Sequence, residues 1–137
     1  MTESMKARFR ATQWEETPLE MLGESAKRTR ASVRQTYAGD IDGESVLEYL
    51  MVYRADGSAS FVGMECIEGT VCGRAGSFVL RHEGEFADGV ARLSLTIMAG
   101  AGTGELGQLR GGGRFESAHA EEYELCLECT WETDSKP

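Results

Sequence analysis

Along "TRASVRQTY" the residues alternate: Thr29, Ala31, Val33, Gln35 and Tyr37 fall on one side, and Arg30 and Arg34 on the other. A period of two predicts a half-buried strand. The same alternation recurs in "LEYLMVYR", which sets Leu47, Tyr49, Met51 and Tyr53 on one face. In "SFVGMECIEG" it groups Phe61, Gly63, Glu65 and Ile67, and in "GRAGSFVLRHEG" it groups Arg74, Gly76, Phe78, Leu80 and His82. Asp56-Gly57 stands between two of these runs as a hairpin signal. "KARFRATQW", "DGVARLSLTIM", "GRFES" and "YELCLECTW" supply further strands. "EETPLEMLGESAK" is read as a connection with a helical turn or two around Pro18 to Leu22.

About eight short strands joined by tight links leave no room for helical crossovers, so neighbours should be antiparallel. A sheet of that size protects its edges by closing. The expected fold is therefore all-β: a single eight-stranded antiparallel barrel over residues 1–137, its core at about 6–131, with a two-sheet sandwich as the alternative. Trp14 and Trp131 fall on the first and last strands, which closure would bring together with both rings at the seam.

Composition narrows the partners. The chain of 137 residues carries 14 Lys and Arg against 23 Asp and Glu, a formal charge of −9. That balance argues against nucleic acid. No apolar run is long enough for a spanning helix, and the polar opening "MTESMKARFR" lacks a signal-peptide core, so the expectation is a cytoplasmic protein with no membrane partner. Four cysteines in this length do not make a dense disulfide framework.

Two motifs invite chemistry and fail on context. Gly102, Gly104 and Gly107 have the G-x-G-x-x-G spacing of a dinucleotide loop, but "QLRGGGRFES" follows, and three consecutive glycines deny the helix that must receive the pyrophosphate. The segment is expected to turn tightly and tuck Leu106 and Leu109 against the barrel, with no cofactor. Cys126 and Cys129 have zinc-like spacing, yet i and i+3 on a strand point to opposite faces, so no metal site is expected.

The interior is the remaining candidate. Glu65 shares its predicted face with Phe61 and Ile67, and Tyr49 and Tyr53 lie on the preceding strand, its expected hairpin partner. A carboxylate among hydrophobes must be hydrogen-bonded or paired, and its acidity can then be tuned for acid–base work. Glu65 and Tyr49 are the candidate catalytic residues; Tyr53, Phe61, Phe78 and His82 are the candidate substrate contacts. Arg74 is a candidate partner for Glu65, and His82, between Arg81 and Glu83, is assigned to the rim. An eight-stranded barrel leaves space for packed side chains or for one small ligand.

"TRASVRQTYAGDIDGES", "EYLMVYRADGSASFVGMECIEGTVCGRAGSFVLRHEGEF" and "GTGELGQLRGGGRFE" together resemble a family of small bacterial proteins of unknown function, DUF3224, which is similar to the allene oxide cyclase barrel. The resemblance covers about residues 6 to 131. It implies an eight-stranded antiparallel barrel able to self-associate, and by fold analogy a lumen that holds an apolar substrate. Glu65, Tyr49, Gly63, Gly76 and Gly104 match the family's motif, whereas Cys66 stands where members commonly carry arginine. Three functions follow as expectations: binding of a small, largely apolar metabolite, its isomerisation or cyclisation, or a homodimeric or larger assembly without catalysis.

Overall fold

The computed structural model describes residues 2–131. The strands are β1 (Glu3–Leu22), β2 (Ala26–Gly39), β3 (Ile41–Tyr53), β4 (Ala59–Val71), β5 (Arg74–Ala87), β6 (Val90–Ile97), β7 (Thr103–Gly104), β8 (Leu109–Ala118) and β9 (Tyr123–Trp131). Hydrogen bonding runs β4-β3-β2-β1-β9-β8-β6-β5, and a β4–β5 ladder closes the ring. The result is an eight-stranded antiparallel barrel. β7 is a two-residue attachment to β5 at Gly76 and Ser77.

Alternation decides which residues fill it. On β2, Thr29, Ala31, Val33 and Tyr37 are buried while Arg30 and Arg34 are exposed. On β4, Ala59, Phe61, Glu65, Ile67 and Val71 face inward. The Asp56-Gly57 hairpin forms as expected: Gly57 adopts a φ of +90°, and the Asp56 carboxylate accepts a bond from the Ser58 amide at 2.9 Å. Cys126 points outward and Cys129 inward, as alternation requires.

The filling is uneven along the axis. One end is packed by Met5, Ile41, Ile67, Phe78, Leu80 and Leu127, among others. A smaller cluster of Ala31, Val33, Leu47, Met51 and Phe61 lines the other half. The glycine-rich segment belongs to the packed end, where Leu106 and Leu109 are almost wholly buried. A Cβ on Gly102 would stand 2.0 Å from the Leu106 carbonyl oxygen, and Gly104 holds a φ of +60°. These glycines let the chain double back tightly against its own backbone.

The first strand departs from expectation. Residues Pro18 to Leu22 continue β1 as strand rather than forming a helical turn. β9 pairs with β1 only from Glu3 to Phe9, so the rest of β1 is an overhang whose backbone pairs with β2 alone. An edge tolerates the missing amide of Pro18, and two bulges, at Ala11/Gln13 and Pro18/Glu20, absorb the irregular sequence. β1 and β9 do meet, but the tryptophans do not share a seam. Trp14 lies on the overhang, 6.3 Å from the ring of Tyr49, whereas Trp131 sits beneath the Arg74 guanidinium at 4.0 Å. Arg74 is therefore outside, and it is no partner for Glu65.

Candidate functional site

A pocket of about 660 Å³ opens into the less densely filled half of the barrel. Its walls are largely apolar, with Phe9, Met51, Phe61, Leu93 and Phe115 among them. Polar groups gather at its inner end, where Glu65 marks the boundary between the two clusters. Across the ladders, Leu47 of the smaller cluster faces Glu65 from β3 and Leu80 of the larger one from β5.

Glu65 has no exposed surface. Tyr37 Oη donates to its Oε2 at 2.5 Å, and Ser45 Oγ donates to the same oxygen at 2.6 Å. His82 Nε2 lies 2.8 Å from Oε1. Three donors on two oxygens suit a carboxylate, which only accepts. Its burial is thus compensated by geometry rather than by a cationic arginine or lysine. The imidazole continues the chain, because His82 Nδ1 lies 2.8 Å from Tyr49 Oη. Tyr49, His82 and Glu65 form a relay with the phenol as its outer member. Burial and then the nearby Glu65 charge push the Tyr49 phenol well above its ordinary range, as they do for Tyr37. Both are held as neutral phenols.

Backbone contacts position this relay. Tyr49 and Gly63 are register partners on β3 and β4. A Cβ on Gly63 would come within 2.5 Å of both the Tyr49 ring and the Glu48 carbonyl oxygen. Glycine there lets the ring lie flat across β4 and reach β5. Phe61 closes one side of the same ring, edge-on at 5.0 Å, and the imidazole meets it edge-on at 5.4 Å.

The sequence-derived candidates divide. Glu65, Tyr49, Phe61 and His82 all line the pocket together. His82 is not a rim residue: it lies well inside β5 and is 7% exposed. Tyr49 reaches Glu65 through the imidazole, and the tyrosine that bonds the carboxylate directly is Tyr37. Tyr53 lines the outer pocket but bonds Glu16 Oε2 at 2.7 Å instead of the relay. Phe78 is a correction, since it lies in the packed end and does not line the pocket. Its ladder partner on β4 is Ile67, and it is buried in the larger cluster. Tyr37 and Ser45 were missed. Extending the inward face of β3 back from Leu47 reaches Ser45, a lone hydroxyl between hydrophobes. Among the described residues, no three His, Cys, Asp or Glu side chains group closely enough to hold a metal ion. No helix there is long and apolar enough to cross a membrane.

Fold and site define a small closed β-barrel with a one-ended lumen and a buried carboxylate–imidazole–phenol relay at its floor. The profile of the family described as "Protein of unknown function (DUF3224)" matches residues 5–128, and the chain belongs to that family. A crystal structure of a protein of unknown function from the same family, from Shewanella oneidensis MR-1, is similar at a TM-score of 0.80 and 28% identity. The match covers 97% of this chain and 99% of that one. A search among curated proteins found no match.

Proposed function

We propose that this protein binds a small, largely apolar molecule in the barrel lumen, with its body among the aromatic walls and one polar atom against Tyr49. The observation that carries this reading is the pairing of an apolar pocket of about 660 Å³ with a single polar cluster at its inner end. Ligand sites of that size combine apolar walls with a few fixed polar groups in this way. Tyr49 is the natural contact because it lines the space and its oxygen keeps a lone pair beyond the bond to His82, while both Glu65 oxygens are committed to protein donors. Phe61 packs the ligand body, and Tyr53 borders its outer end.

The test is native mass spectrometry of the protein after incubation with a cell extract and removal of unbound material. A discrete mass adduct is expected on the wild type and none on Ala91→Trp, which fills the pocket from β6. Adducts of equal intensity on both would place any ligand elsewhere, and an absence of adducts on the wild type would count against the reading.

The relay supports a second reading, isomerisation or cyclisation of such a molecule as in an allene oxide cyclase-like barrel. A phenol backed by imidazole and carboxylate can hand a proton to an oxygen in the lumen once the relay has itself taken up a proton. Turnover lost in Glu65→Gln with binding retained would favour it. Self-association belongs to the same picture. Val46, Leu50, Val52, Val62 and Met64 make an exposed apolar band on the outside of β3 and β4, and light scattering should find a homodimer or larger species that Leu50→Lys dissociates. We assign the protein to the cytoplasm, in keeping with its separate thiols.

A further inference from the structure

The relay contains two hydrogen bonds in series, so it can be counted in protons. With Glu65 as a carboxylate, His82 Nε2–H donates to Oε1, and the Tyr49 hydroxyl donates to Nδ1. Two protons, one on His82 and one on Tyr49, fill both links. Every donor is then used, and what Tyr49 offers the lumen is an oxygen lone pair.

Turning the Tyr49 proton outward breaks this arrangement. Nδ1 must then become the donor to Tyr49 Oη. If Nε2 loses its proton at the same time, its lone pair faces the carboxylate with nothing between them. Tyrosinate offers no escape, because burial and the Glu65 charge raise the Tyr49 phenol. The remaining solution is a third proton, carried either as imidazolium or on Glu65 Oε1 with Nε2 accepting. The two forms differ only in where the proton rests, so the count does not depend on the tautomer.

This inference rests on the lumen being a binding site and names what it selects. We propose that the lumen takes a ligand ending in a hydrogen-bond donor, a phenol or an alcohol, onto the resting relay, and takes one ending in a bare acceptor, a ketone, only with uptake of one proton.

The groups around His82 leave few other sources for that proton. Tyr49 reaches it from β3 and Glu65 from β4, while β6 presents Leu95 opposite it. Tyr37 and Ser45 are spent on Glu65, and Gln35 is the next polar neighbour at 3.4 Å from Tyr37. Arg81 and Glu83 flank His82 on β5 but face outward. The exposed residues Arg10, His119 and Glu121 border the outer part of the pocket.

Glu65→Gln is the decisive variant. Its amide oxygen can replace Oε2 and accept from Tyr37 and Ser45, and its amide nitrogen can donate to His82 Nε2. That forces Nδ1–H toward Tyr49 and turns the Tyr49 proton to the lumen with no added charge. Nitrogen-15 spectra of the imidazole should show Nε2–H in the wild type and Nδ1–H in Glu65→Gln. An Nδ1–H form in the free wild type near neutral pH would overturn the proposal.

Calorimetry with 2-naphthol and 2-acetylnaphthalene, in buffers of different ionisation enthalpy, reads the proton count. Near pH 7.5 the wild type should take up about no proton with the naphthol and about one with the ketone. The ketone Kd should weaken about tenfold per pH unit, and the naphthol Kd should stay flat. In Glu65→Gln both counts should be near zero. Equal counts for both ligands in the wild type would overturn this inference alone. If neither probe binds, the binding reading falls and this one with it.

Discussion

Glu65 and Glu16 each gather three hydrogen-bond donors, one at the centre of the barrel and the other on the overhang of β1. Glu16 accepts from Thr29 Oγ1 at 2.6 Å, Tyr53 Oη at 2.7 Å and Trp14 Nε1 at 3.2 Å. Burial works against its charge, but those bonds and the nearby Lys27 outweigh it and hold the carboxyl below its usual range. Beyond Glu16, Tyr53 Oη reaches only the Met51 thioether, at 3.9 Å. Glu65 differs in that one donor, His82, passes the interaction on to Tyr49 and so to the lumen. The outer carboxylate ties an edge strand to its neighbours; the inner one governs what the pocket presents. An equal number of hydrogen bonds therefore gives a clamp in one place and a relay in the other.

Removing the carboxylates should separate them most clearly. Glu65→Ala leaves Tyr37, Ser45 and His82 without a shared acceptor in the buried barrel centre, and a loss of about 3–5 kcal/mol is expected. Glu16→Ala strands Trp14 and Tyr53, which water can reach, and the buried Thr29 hydroxyl, and should cost about 1–2 kcal/mol. Urea unfolding of the two variants checks this. Equal losses would mean that the barrel centre is wetter than its burial indicates.

Gly63→Ala should come next, at about 1–3 kcal/mol. Its Cβ meets the Tyr49 ring and, less forgivingly, the Glu48 carbonyl oxygen, both at 2.5 Å. The Tyr49–His82 bond should break while the Glu16 clamp stays intact. Retention of the imidazole shift expected for a hydrogen-bonded Nδ1, with unchanged stability, would show that β4 yields there.

The contrast also explains what could be read from the sequence. Glu65 stood out because strict alternation placed it among Phe61 and Ile67, and the Asp56-Gly57 turn placed β3 beside it. Register then brought Tyr49 and Gly63 together, a pairing that the hairpin expectation did not specify. His82 was misplaced because Arg81 and Glu83 suggested a rim, although alternation makes flanking charges compatible with an inward imidazole. Tyr37 lies two strands away from Glu65, and only barrel curvature carries its hydroxyl across. Glu16 was illegible. Its surroundings, "WEETPLE", mix Pro with adjacent acids, and bulges destroy the periodicity that would have revealed a strand.

Alkaline stability gives the smallest expected effect and the closest test of the comparison. Burial, followed by the Glu16 hydrogen bond and charge, pushes the Tyr53 phenol up to about 12. An unfolded tyrosine titrates at about 10. Between those values the folded chain holds a proton that the unfolded chain has released, so stability is complete below about pH 10 and falls as pH climbs toward 12. Tyr37 and Tyr49 are shifted in the same direction and add to the fall. Glu16→Gln removes the charge behind part of the Tyr53 shift but leaves the barrel centre untouched. Urea unfolding at pH 9.5, 10.5 and 11.5 should therefore give a shallower decline in Glu16→Gln than in the wild type. Tyr53→Phe should be shallower again, because it deletes the titrating group, and both variants should keep the residual decline that Tyr37 and Tyr49 produce. A decline unchanged in both would assign the whole effect to the barrel centre and leave Glu16 a clamp of no electrostatic consequence for Tyr53.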